Sequence, residues 1–134
     1  MSTYPMTNRT TPTRHRERVG YEADRAHAVL DAGYLCHLGF VVDGEPVVLP
    51  TVYARAGERL YLHGSTGARW MLRGTEDSTA GLPVCVVVTL PDGLVLSRSA
   101  FGHSVNYRSV VVHGVAWPVT DPGEQAAALA AVVD

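Results

Sequence analysis

The chain has 134 residues, 46% hydrophobic and 18% charged, with 11 basic residues against 13 acidic and a formal net charge of −2. These values suit one globular domain; they exclude a mostly disordered chain and an overall basic field that would draw nucleic acid or an anionic membrane. All 11 basic residues are Arg, which removes Schiff-base chemistry and the lysine of a standard phosphate loop.

No apolar run reaches the roughly 18 residues of a membrane span, and the N-terminus has no apolar signal region. A cytoplasmic protein is expected, with Cys36 and Cys85 as reduced, buried thiols in apolar stretches.

Residues 1–13 are rich in Thr, Pro and Asn without a period and read as a mobile tail, leaving 14–134 as one domain. Arg14-His15-Arg16-Glu17-Arg18 reads as a solvated lead-in, or as an arm that meets a partner chain or an anion. Tyr21 to Ala32 has helical spacing through Ala23, Ala26, Val29 and Leu30, and Gly33 is expected to end it at positive φ.

From Tyr34 the period becomes that of a strand. Asp43-Gly44 between two apolar runs predicts a hairpin, with the return strand at Pro46 to Ala54. Arg55 to Glu58 turns again, and Arg59 to His63 completes a three-strand antiparallel meander. Gly64-Ser65-Thr66-Gly67-Ala68-Arg69 then leads into a short helix closed by Gly74.

Pro83 to Leu90 is the most apolar strand. Pro91-Asp92-Gly93 reads as a turn, and Leu94 to Leu96 as a further strand. A long strand follows from Val105 to Val119, in which Gly114 marks a bulge or bend. Asp121-Pro122-Gly123-Glu124 opens a final helix over Gln125 to Val133 through a capping residue and a proline at its first position. That helix meets the end of the sequence without a stop signal. About six strands joined by hairpins favour an antiparallel barrel with helices at its ends over a doubly wound parallel fold, and no dinucleotide glycine fingerprint is present.

Two segments carry chemistry. At His63-Gly64-Ser65-Thr66-Gly67-Ala68-Arg69 a strand feeds a Gly and hydroxyl turn and then a helix start, a pattern that suits an anion. The same residues also suit plain N-capping by Ser65 or Thr66. The second segment, Ser97 to Ser109, is polar and enters an apolar strand; alternation places Arg108 and Ser109 on opposite faces. The histidines lack close metal-ligand spacing, so no metal site is expected. A serine-hydrolase elbow is absent.

Four blocks together resemble the pyridoxamine 5′-phosphate oxidase-like family: Tyr34 to Phe40, Gly44 to Thr51, Leu62 to Ser65 and Arg98 to Val110. The branch they look like is the one related to nitroimidazole-resistance proteins. The resemblance implies a mainly β fold, a six-stranded antiparallel split β-barrel with short flanking helices. It also implies a homodimer, with FMN at the interface.

The cofactor-binding residues it implies are Pro50, Thr51 and Val52 along the ring edge, His63, Gly64 and Ser65 beside ring and ribityl, and Arg69 on the phosphate. Asn106, Arg108 and Ser109 would complete the site, from the partner subunit. Trp70 stands where the family often has a second basic residue.

The expected function is that of an FMN-dependent oxidoreductase acting on a small molecule. His63 is the candidate proton donor, or simply a hydrogen-bonding residue at a strand end. A non-enzymatic flavin or haem sensor or carrier is the alternative, with His37, His63, His103 or His113 as axial ligand; a cofactor-free structural dimer is a third.

Overall fold

The computed structural model describes residues 2–12, 16–63, 81–98 and 104–133. Helix α1 spans Ala23–Ala32. The strands are β1 Leu35–Val42, β2 Glu45–Ala56, β3 Arg59–His63, β4 Leu82–Val95 and β5 Ser104–Ala116, and helix α2 spans Pro122–Val133. A 3₁₀ turn covers Arg16–Arg18.

All five strands form one antiparallel sheet in the order β3-β2-β1-β4-β5. The described residues therefore give an open sheet of five strands with β3 and β5 as its edges, where a split barrel of six strands was expected.

The difference in strand count arises at Pro91-Asp92-Gly93. These residues do not turn the chain. Pro91 pairs with Tyr107 and Gly93 with Asn106, so Asp92 is an extra residue inside one long β4. Glycine and proline are as much the signature of a β-bulge as of a turn, because proline removes a ladder donor and glycine tolerates the irregular backbone. Gly114, expected at a bulge or bend, pairs with Val84 without a shift in register.

The two hairpin turns follow the local sequence. Asp43 and Gly44 both have positive φ, 53° and 79°, as a two-residue type I′ turn requires. In the second loop Gly57 supplies a φ of 61° between the paired Ala56 and Arg59.

The sheet has one buried and one open face. Cys36, Leu38, Phe40 and Val42 of β1 alternate inward and meet Leu30, Tyr53, Leu82, Val86 and Val88 in the core. The register puts Thr51, Val110, Val112 and Arg108 on this inner side, and Leu35, His37, Val41, Pro50, Val52, Cys85, Val87, Ser109 and Val111 on the outer side. Cys36 is fully buried as expected, whereas Cys85 is only half-buried because its strand position faces outward.

Helix α1 packs on the inner face against β2, β4 and β5. Its end does not use a left-handed glycine: Gly33 has φ −105°. The glycine serves a close approach. A Cβ there would lie 2.7 Å from the Tyr53 hydroxyl and 3.0 Å from Val88 Cγ1.

The start of α2 does follow its sequence signal, since the Glu124 N–H donates to Asp121 Oδ2 at 2.8 Å. The Glu124 side chain instead accepts from Arg59 and Tyr61, at 2.8 and 2.9 Å, tying α2 to β3.

Residues 2–12, expected as a tail, carry contacts to the body. Thr3 bridges to Glu22, and the Tyr4 N–H donates to the Tyr21 carbonyl at 2.8 Å. The Tyr4 hydroxyl donates to Glu58 Oε2 and lies against His27 Nε2, each at 2.9 Å. Burial, then the Glu58 bond, raises the Tyr4 pKa.

Candidate functional site

The expected site residues fall at two ends of the sheet. Pro50, Thr51 and Val52 lie on β2, and His63 ends β3 beside Val52. The Thr51 hydroxyl donates to the His63 carbonyl at 2.7 Å. This bond satisfies the last carbonyl of β3 where the backbone ladder runs out, and it fixes the strand end from which the Gly64-Ser65 segment departs. Gly64, Ser65, Arg69 and Trp70, with His103, lie outside the described residues.

Asn106, Arg108 and Ser109 lie on β5, at the opposite edge. Four inter-strand steps separate β3 from β5, or about 19 Å along the sheet. Arg108 pairs with Leu90 and Ser109 with Thr89, so the two side chains do point to opposite faces.

Arg108 is not alone there. Its Nε and Nη2 donate to Asp92 Oδ2 and Oδ1, each at 3.1 Å, and that bond raises the guanidinium pKa. Asp92 is the residue that sequence reasoning missed. Its Pro-Asp-Gly setting suggests a turn tip, and only the pairing of β4 with β5 shows a bulge aimed at Arg108.

One open concavity of about 2460 Å³ reaches Pro50, Thr51, His63, Asn106, Arg108 and Ser109. Val52 is not on its wall. The volume exceeds the roughly 300–1,000 Å³ of a formed ligand cleft, so the described part of one chain supplies a trough and not a closed pocket. The walls combine apolar Leu49, Leu62, Val110 and Val112 with the Thr51 hydroxyl, the Asn106 amide and the Arg108 guanidinium. That donor set fits a ligand with a flat apolar body and an anionic arm.

Outer-face histidines form a different arrangement. His37 is exposed and His113 half-buried, and both sit among Val48, Val87 and Val111. No group of three or more metal-ligating side chains occurs among the described residues. No helix among them is long and apolar enough to cross a membrane.

The single antiparallel sheet, the flanking helices and the trough define a mainly β protein. The family model for pyridoxamine 5′-phosphate oxidase matches residues 22–134, and the chain belongs to that family.

Among solved structures, it is similar to the flavocytochrome Anf3 of Azotobacter vinelandii, with 35% identity and a TM-score of 0.81 over 96% of this chain and 57% of that one. It is also similar to the FAD and heme binding protein of Mycobacterium smegmatis, with 36% identity and a TM-score of 0.68 over 81% of this chain and 52% of that one. A candidate 5-nitroimidazole antibiotic resistance protein of Bacteroides thetaiotaomicron shares the fold at 20% identity and a TM-score of 0.66, over 84% of this chain and 64% of that one. The chain thus spans little more than half the length of the first two. No curated protein matches it.

Proposed function

We propose that this chain is a flavin-binding domain that acts as a homodimer and holds FMN, or the FMN half of FAD, in the trough between β2–β3 of one copy and β5 of the other. The observation that carries this reading is the separation of the candidate residues onto the two halves of one sheet, β2–β3 and β5. Two copies in contact would let the β2–β3 residues of one chain and the β5 residues of the other share one ligand. The family membership and the flavin-related names of the two neighbours above 30% identity support it.

So does the outer face, where Leu35, Val41, Val48, Val111 and Val115 are each at least 45% exposed. A contiguous apolar face of this kind is the usual mark of an interface.

A bound flavin supplies hydride and electron transfer itself. The chain's part is to position and bind. The Thr51 hydroxyl keeps the β3 end fixed through the His63 carbonyl. The exposed His63 ring is the side chain placed to hold or pass a proton at the trough. Arg69, by its resemblance to a phosphate ligand, and Arg108 neutralise the phosphate. The activity is that of an oxidoreductase on a small molecule.

The test is the absorption spectrum of purified protein after addition of FMN, FAD or riboflavin, with sedimentation at micromolar concentration. Flavin bands that co-elute with a dimer are expected. A colourless monomer in all three additions overturns the reading.

A second reading has one specific support, the haem named in one neighbour and the cytochrome in the other. His37 or His113 on the apolar outer face, or His63 at the β3 end, would then be the axial ligand. A Soret band after addition of haemin, lost in one of His37→Ala, His63→Ala or His113→Ala, would favour it.

A further inference from the structure

Arg108 lines the trough with its fork already occupied. The β4 bulge places Asp92 one residue out of the ladder, between Pro91 opposite Tyr107 and Gly93 opposite Asn106. From there both carboxylate oxygens meet Nε and Nη2 of Arg108 at 3.1 Å. The two side chains are 55% and 38% exposed, and both line the trough beside Asn106. An exposed pair of this kind adds little to folding stability. It does fix the guanidinium plane and hold it turned toward the bulge.

We propose that Asp92 is an internal competitor for the anion site at Arg108, a tethered carboxylate that a phosphate group of the ligand must displace. This rests on the flavin-nucleotide reading above. The guanidinium fork offers two parallel N–H groups to a carboxylate or a phosphate with the same geometry. Asp92 brings one negative charge and is tethered, which gives it a high effective concentration. A free carboxylate of equal charge therefore loses to it. A phosphate monoester brings nearly two charges near neutral pH and three acceptor oxygens, so it wins. The pair thereby sets a threshold at the β5 edge, an affinity for Arg108 that a phosphate group exceeds and a single free carboxylate does not.

The experiment compares wild type, Asp92→Asn, Asp92→Ser, Arg108→Gln and the double variant Asp92→Asn/Arg108→Gln. FMN and riboflavin are titrated by quenching of flavin fluorescence, and inorganic phosphate by thermal shift. Removing the competitor is expected to tighten FMN about fivefold, the upper end for an exposed ion pair, and to leave riboflavin unchanged. The double variant should bind FMN no better than Arg108→Gln alone. Inorganic phosphate should raise Tm at lower concentration in both Asp92 variants than in wild type, and should not do so once Arg108 is replaced.

Equal shifts for FMN and riboflavin, or no shift in either Asp92 variant, overturn the proposal. If wild type binds no flavin, the function proposed above fails instead. The phosphate arm then decides alone: an unchanged response in both Asp92 variants overturns the competitor role, and an Arg108-dependent gain upholds it.

Discussion

The Tyr53 hydroxyl donates to the Leu30 carbonyl at 2.5 Å, joining the middle of the sheet to the last turn of α1. The bond is buried, and burial pushes the Tyr53 pKa up to about 12. It gives a helix-end carbonyl a second and shorter bond beside that from the Gly33 N–H at 3.4 Å. It also explains Gly33, whose missing side chain leaves the space through which the phenol reaches.

Tyr53→Phe should therefore cost about 0.5–1.5 kcal/mol, the net contribution of one hydrogen bond whose acceptor keeps a second donor. Gly33→Ala should also destabilise, since its methyl would meet the same phenol at 2.7 Å. Urea denaturation of each variant checks this. Tyr53→Phe/Gly33→Ala should lose less than the sum of the two, because both act on one contact.

Stability should fall in acid through Asp31. The Arg55 fork binds its carboxylate at 2.7 and 2.8 Å and lowers its pKa below the ordinary carboxylate value. A lowered folded-state pKa means the contribution is present above the unfolded value near 3.9 and is lost as pH falls through the folded one. The stability gap between wild type and Asp31→Asn should be open at pH 6 and close toward pH 2. A gap that does not change with pH would show that the ion pair contributes nothing through charge.

The two thiols should react differently. Burial pushes the Cys36 thiol up to about 11, on the inner face, while Cys85 is half-exposed on the outer face. Opposite faces also keep them from forming a disulfide. A thiol reagent should label Cys85 first and Cys36 only on unfolding. If a second copy covers the outer face, Cys85 labelling should slow as protein concentration rises.

Arg69→Ala should weaken FMN and leave riboflavin nearly unchanged, since riboflavin lacks the phosphate. Loss of a bond to a charged group costs about 1.5–3 kcal/mol, or roughly 10- to 150-fold in affinity. Equal loss for both flavins would make Arg69 a structural residue. Trp70→Ala should weaken both flavins if the indole stacks on the ring.

Some of this molecule is written in short stretches of its sequence. Asp43-Gly44 requires its turn because those two residues tolerate positive φ, and Asp121-Pro122 starts α2 because it caps the first turn within four residues. The alternation in β1 already separates Cys36, Leu38, Phe40 and Val42 from their neighbours. Of the proposed site residues, His63 and Arg108 lie in segments that the local pattern already marks, whereas Thr51 is suggested only by the resemblance to a family.

Tertiary structure decided the rest. Gly33 reads as a helix stop until Tyr53, twenty residues away, is seen to occupy its space. Pro91-Asp92-Gly93 reads as a turn until β5 pairs along both sides of it. The reason is physical: local backbone preference cannot distinguish a turn from a bulge, or a flexible glycine from a small one. Pairing and packing between distant segments decide which use the chain makes of the same residue.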